Sequence, residues 1–236
     1  MHHPKHIIVA IDGPAGAGKT TLAKRVARKL GFVHINSGSM YRAVALWALR
    51  TSTGLDDMHR LEQLAANARI EFGLTNGHIL LNGEDVSEEI RSTEVSAAAS
   101  RVSAVPGVRR ALLGVQRQIA EVSSVVMEGR DIGTVVFPNA HVKIFLDADP
   151  KERARRRTLE YAERGQRAEA ALIAAELAER DHRDRTRSEA PLVQAPDAEL
   201  VDTTHHTIDE VEEIILRLVR ERTSNGREAK RQGSST

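Results

Sequence analysis

Residues 7–11 are an unbroken apolar run, stopped by Gly13 and Pro14. Such a run, ended by turn residues, predicts a strand buried on both faces. The period then changes. Leu22, Val26 and Leu30 recur at helical spacing, which predicts a helix over 19–30. A second short strand follows at 32–35 and a second helix at 40–50. Farther on, Pro106 opens a helix over 108–122, and buried strands follow at 124–127 and 142–146. Two charged helices, 150–164 and 167–183, are broken at Gly165. A last short strand at 199–201 precedes an amphipathic helix at 208–222. Strands alternating with helices predict an α/β fold: a parallel sheet flanked by helices on both faces.

Three stretches break the pattern. Residues 1–6 are polar and expected to fray. Between about 56 and 105 a helical segment (61–68) leads into strand-like runs at 69–74 and 78–81, joined by Thr75-Asn76-Gly77. Asn-Gly between two such runs predicts a hairpin. A hairpin is foreign to a βα alternation, so the region at about 60–104 is expected to be an insertion in a core spanning 1–222. An alanine- and serine-rich helix over 93–105 closes it. Residues 223–236 lack large apolar side chains and are expected to be a disordered tail.

Composition narrows the picture little. The 236 residues suit one α/β domain with a small insertion. A formal net charge of +1 gives no global field for nucleic acid or membrane, so any anion site must be built locally. The absence of cysteine excludes disulfides and thiolate metal sites. The longest apolar run near the N-terminus, residues 7–11, is too short for a signal-peptide core and far too short for a membrane span. The chain is expected to act in the cytoplasm, as a monomer, on small molecules.

The chemistry starts after the first strand. Gly13-Pro14-Ala15-Gly16-Ala17-Gly18-Lys19-Thr20 completes the G-x-x-x-x-G-K-[ST] phosphate loop, between a buried strand and a helix as its physics requires. Its glycines let backbone N–H groups converge on phosphate oxygens, and the helix start adds partial positive charge. Lys19 would reach the β- and γ-phosphates of ATP, and the Thr20 hydroxyl would ligate Mg²⁺; Thr21 completes the ATP-binding set. The loop alone specifies only an NTPase or kinase. No Asn-Lys-x-Asp guanine reader is present, and downstream arginine clusters point to a small-molecule kinase.

Four motifs in order carry a resemblance: residues 11–19, Ser37-Gly38-Ser39-Met40-Tyr41-Arg42, the run 128–138 beginning Glu128-Gly129-Arg130-Asp131, and Arg183-Asp184-Arg185-Thr186-Arg187. The chain resembles bacterial cytidylate kinases, within the nucleoside monophosphate kinase family, over about 7–218. The resemblance implies a five-stranded parallel sheet, a monophosphate-binding insertion and a helical lid at about 151–183. It implies phosphorylation of CMP, and of dCMP, by ATP with Mg²⁺. The family usually has an acid where this chain has Asn36, which would weaken any role of that acid at magnesium-bound water; Ser39 replaces an alanine.

The resemblance also implies residue roles. Arg42 and Arg130 would grip the acceptor phosphate, since guanidinium forks match phosphate geometry and stay charged; the plainer alternative for Arg130 is an ion pair with Glu128 or Asp131. Ser37, in the second motif, joins the substrate-binding set. Asp131 would accept a hydrogen bond from the cytosine amino group, with Ser100 and Arg109 at the other base-reading positions. Without the resemblance, Ser100 would read as a packing residue. Asp184 and Arg187 would hold the ribose. In the arginine-dense stretch 153–187, Glu160–Arg164, Glu176–Arg180 and Glu179–Arg183 stand at i,i+4 spacing and are expected to pair. Arg155, Arg157, Arg180 and Arg183 are candidates to close over the phosphates; Lys19, Arg130, Arg180 and Arg183 form the expected catalytic set. His205-His206 reads as a surface pair without metal-ligand spacing. The rival readings are a P-loop kinase for another small metabolite, such as shikimate or dephospho-coenzyme A, and a non-enzymatic nucleotide-binding regulator.

Overall fold

The computed structural model describes residues 6–73, 78–163, 165 and 169–232, with 224–232 as backbone alone. The strands are β1 (Ile8–Asp12), β2 (Val33–Asn36), β3 (Ile70–Phe72), β4 (Ile79–Leu81), β5 (Glu84–Asp85), β6 (Val125–Gly129), β7 (Val142–Asp147) and β8 (Glu199–Asp202). The helices are α1 (Lys19–Leu30), α2 (Ser37–Arg50), α3 (Met58–Asn67), α4 (Thr93–Val102), α5 (Pro106–Val122), α6 (Pro150–Glu163), α7 (Ala170–Thr186) and α8 (Ile208–Gln232). Five strands form a parallel sheet in the order β2-β6-β1-β7-β8. The expected α/β architecture is therefore the observed one.

The central strand explains the rest. β1 lies between β6 and β7, with Ile11 beside Glu128 on one side and Ile144 on the other. Covered on both faces, its residues from Val9 on are all buried. On one face Leu22 and Val26 of α1 pack with Val211, Ile215 and Val219 of α8. Below the other face, Ile35, Met127 and Ile132 make a second cluster. The chain reverses tightly after β1. Gly13 has φ 146°, and a Cβ there would stand 2.0 Å from the carbonyl oxygen of Leu146 on β7. No other residue fits that approach.

The insertion is more than a hairpin. β3, β4 and β5 form an antiparallel three-stranded sheet, with Phe72 opposite Ile79 and Leu81 opposite Glu84. The Thr75-Asn76-Gly77 turn lies outside the described residues. Ile79 and Leu81 share one apolar cluster with Met40 and Val44 of α2, Leu61 of α3 and Leu112 of α5. The insertion is thus sealed to the core by a common interior.

Two boundaries differ from the sequence expectation, and one turn had no expectation at all. α7 runs to Thr186 and carries Asp184 in its last turn. After β6, the stretch Ile132–Val136, for which no element was expected, forms a single π-helical turn. The stretch expected to be disordered from Thr223 is helical to Gln232; once a helix is nucleated by a packed face, each further residue adds one hydrogen bond without new nucleation cost. Residues 233–236 lie outside the described residues. Among the described residues no helix is long and apolar enough to cross a membrane.

Candidate active site

The carboxyl ends of β2, β6 and β1 meet below a cleft of about 480 Å³ that also receives α1, α2, α5 and the α6–α7 pair. Crevices outside the carboxyl ends of parallel strands are where open α/β sheets bind ligands. Of the phosphate-loop residues, Ala15, Gly16, Gly18, Lys19, Thr20 and Thr21 line it. Gly13, Pro14 and Ala17 lie in the loop without lining the cleft.

Gly18 takes the left-handed conformation, φ 87°, and leaves the first amides of α1 without a side-chain cap. Those donors are what an anion would accept from. Lys19 is buried, and its Nζ donates to the Pro14 carbonyl at 2.5 Å. Burial, reinforced by the nearby Arg130, pulls its pKa well below the ordinary lysine value.

Beside it, Thr20 Oγ1 donates to Glu128 Oε2 at 2.9 Å, and Asn36 Nδ2 lies 3.4 Å from the same hydroxyl. His34 Nε2 stands 3.0 Å from the other Glu128 oxygen. Asn36 is committed elsewhere: its carbonyl caps α2 by accepting from Ser39 N–H. The carboxylate at the Thr20 hydroxyl is therefore Glu128, on β6. Threonine hydroxyl and carboxylate together form an oxygen-only donor pair that fits a hard divalent cation, which fills its remaining positions with water.

Opposite the phosphate loop, guanidiniums converge. Arg42 donates to the Ile90 carbonyl at 2.8 Å and to Ser96 Oγ at 2.6 Å. Arg130 Nε donates to Asp184 Oδ2 at 2.8 Å, so its ion pair is with Asp184 rather than with Glu128 or Asp131. Arg180 forms no ion pair among the described residues, and its Nε has no hydrogen-bond partner. Burial first, then Arg130, with Arg42 and Arg157 adding, lowers its pKa to about 9. Such a concentration of positive charge calls for an anion.

The floor of the cleft is differently built. Asp131 pairs with Arg109, which lies 5.3 Å over the Tyr41 ring. Arg187 stands 3.6 Å from both Asp131 and Asp184. Burial alone would raise the Asp184 pKa, but Arg130, Arg180 and Arg187 outweigh it and hold it below the ordinary value. Ser37 lines the cleft and donates to the Glu128 carbonyl at 2.8 Å. Ser100 does not line it. Its Oγ is buried on α4 without a hydrogen-bond partner.

The candidate lid arginines divide into two groups. Arg155 is exposed and bonded to Glu152, and Arg183 pairs with Glu179 on its own helix at 3.0 Å. Neither lines the cleft; Arg157 and Arg180 do. The expected Glu176–Arg180 pair is absent among the described ion pairs, because Arg180 is turned inward. Glu160–Arg164 lies partly outside the described residues. Sequence reasoning missed Arg153, which is buried and donates to the Ala15 carbonyl at 3.1 Å and to Asp181. Nothing in its spacing on a charged helix sets it apart from its neighbours. Glu128, His34 and Asp12 were also missed as functional groups. His206 stands 3.6 Å from Glu210 on the exposed start of α8.

A sequence model of the cytidylate kinase family matches residues 9–221. A curated cytidylate kinase of Solibacter usitatus is 59% identical over 226 residues, covering 95% of this chain and 97% of that one. Another, from Syntrophotalea carbinolica, is 50% identical over 220 residues, 92% of this chain and 94% of that one. Among solved structures, an uncharacterized protein from Eubacterium ventriosum superposes with a TM-score of 0.50 at 12% identity, over 91% of this chain and 98% of that one, a likeness of fold alone.

Proposed function

The chain belongs to the cytidylate kinase family and phosphorylates CMP, and we propose that ATP is its phosphoryl donor, dCMP a second acceptor, and the cleft between α1 and α7 the place of transfer. The family removes the readings as a kinase for another metabolite and as a non-enzymatic regulator. The observation that carries the assignment of the cleft is its charge. A buried lysine on a phosphate loop faces Arg42, Arg130 and Arg180, and Arg180 forms no ion pair among the described residues. Two phosphate-bearing substrates would supply the missing charge from the two sides.

In this reading the amides at the start of α1 and Lys19 hold the ATP phosphates, and Lys19 exchanges the Pro14 carbonyl for a phosphate oxygen. Arg42, Arg130 and Arg180 hold the CMP phosphate. Asp131 accepts from the cytosine amino group. A uracil carbonyl there would set two acceptors against each other. Arg109 holds Asp131 in place, and Asp184 with Arg187 receives the ribose hydroxyls, for which a carboxylate is a fitting acceptor. Binding CMP then means exchanging the Arg130–Asp184 pair for contacts with ligand, while the Arg109–Asp131 pair is kept.

The acceptor is a phosphate monoester whose second pKa is about 6, so it is largely a dianion at neutral pH and needs no general base. Catalysis consists of alignment and of positive charge placed where charge shifts in the transition state. Thr20 and Glu128 would hold Mg²⁺, which when bound neutralises phosphate charge and orients the donor. α6 and α7 rest on the phosphate loop through a small apolar cluster, Ala15, Ala154, Tyr161, Ile173 and Leu177, and through Arg153, which donates to the Ala15 carbonyl; closing over bound substrates would exclude water. Use of cytosolic nucleotides supports action in the cytoplasm.

Coupled ADP release with CMP, dCMP, UMP and AMP in parallel tests this. Turnover with CMP and dCMP far above UMP and AMP is expected. Equal turnover of CMP and UMP would remove Asp131 as base reader.

A further inference from the structure

Asp12 ends β1, one residue before the phosphate loop, and does not line the cleft. It is buried, at 5% exposure, and both carboxylate oxygens are engaged. Oδ1 accepts from the Ile132 N–H at 2.8 Å and Oδ2 from the Gly133 N–H at 2.7 Å. These are the first two amides of the π-helical turn after β6. The first amides of any helical turn lack partners within it, and an aspartate at the N-cap is the usual remedy.

The N-cap residue here is an aspartate, Asp131, yet its side chain makes no capping bond. Its oxygens face Arg109 and Arg187 instead. Asp12 does the capping from the neighbouring strand, and so leaves Asp131 to the cleft. The sheet register sets the reach. Asp12 lies beside Gly129, and a Cβ on Gly129 would stand 2.7 Å from Ile132 Cδ1. On its other flank the turn meets Lys143, whose Nζ is tied to the Pro138 carbonyl and, at 2.8 Å, to Asp197.

Packing alone does not call for a carboxylate here. Burial, only partly offset by the two amide bonds, pushes the Asp12 pKa up to about 6, with Asp131 raising it and Lys19 lowering it. Asparagine would avoid the buried charge. It would, however, present one acceptor and an NH₂ to two converging N–H groups, whereas a carboxylate accepts both.

We propose that Asp12 is a positioning residue for base selection: by capping the turn from β1 it fixes Asp131 against the cytosine edge and ties that placement to the phosphate loop. This rests on the reading of Asp131 as the base reader.

The test compares Asp12→Asn and Gly133→Ala with Asp131→Ala, measuring kcat/KM for CMP and UMP and KM for ATP. A Cβ on Gly133 would come within 3.2 Å of Lys143 Cδ, which must give way, and would meet Asp12 Oδ2 at 3.4 Å in ordinary contact, so it crowds the flank of the turn and leaves Asp12 in place. Asp12→Asn is expected to lower the CMP-to-UMP ratio about tenfold and Gly133→Ala about threefold, with KM for ATP changed by less than about twofold. An unchanged ratio in Asp12→Asn, while Asp131→Ala erodes it, overturns the inference. So does a KM for ATP that rises as much as that for CMP, since Asp12 would then merely support the loop. An unchanged ratio in Asp131→Ala removes the base reader and the inference with it. If Asp12→Asn does not fold, Gly133→Ala decides by the same ratio.

Discussion

Lys19 sits where Glu128 and Asp12 favour its charge but are outweighed. Its ammonium donates to a carbonyl, its burial disfavours its charge, and Arg130 adds to the same pressure. What the phosphates of a nucleotide would gain there grows as charge moves between donor and acceptor. Lys19→Ala is therefore expected to lower kcat far more than it raises KM for CMP; turnover near the parent value would remove the phosphate loop from the reaction. Arg130 differs, because its Nε already holds Asp184 at 2.8 Å. Arg130→Ala should weaken CMP by ~1.5–3 kcal/mol, about ten- to hundredfold, with ATP affected less, since one charge-assisted contact is lost. Equal weakening of both substrates would place Arg130 elsewhere. At this scale the sequence was legible where a motif names a residue: Lys19, Arg42, Arg130 and Asp131 all converge on one cleft. It was opaque where several equivalent side chains compete. Arg153, Arg155, Arg156 and Arg157 are alike in a charged helix, and only the fold decides that Arg153 turns inward to Ala15 while Arg155 stays with Glu152.

The elements show why periodicity reads some structure and misses the rest. β1 and α1 were plain because burial on both faces leaves an unbroken apolar run, and one buried helical stripe leaves an apolar residue every third or fourth position. The π-helical turn left the wrong mark. Ile132, Val135 and Val136 are strand formers by propensity, and the turn exists because the carboxylate of another strand satisfies its first amides, a long-range cause that no local window contains. The end of α8 was misjudged because a polar continuation carries no apolar stripe. α5 offers a test of element stability without function. Gly114 is exposed in its middle, with nothing within 4 Å of an added Cβ. Gly114→Ala should raise stability by about 0.5–1 kcal/mol through helix propensity, seen as a higher urea midpoint with unchanged kcat. A lower midpoint would mean that the space beside Gly114 is filled.

Across the molecule, two apolar interiors meet along one charged seam. One joins the insertion to α2 and α5, the other joins α1 and α8 to the sheet. The seam's lone guanidinium on α7 has a consequence for anyone who would make the protein hardier. Arg180 is half-buried, with its Nε buried and unpartnered, and it forms no ion pair among the described residues, so an uncharged side chain of similar length should relieve the empty fold. Arg180→Met is expected to raise unfolding free energy in nucleotide-free buffer by about 1–3 kcal/mol, while kcat collapses. A variant that is both less stable and fully active would contradict this. Selection for heat tolerance in the absence of nucleotide would then discard Arg180 early and return robust, inert proteins. The same selection run with CMP and ATP present would retain it, because the ligands would supply the charge that the empty cleft lacks.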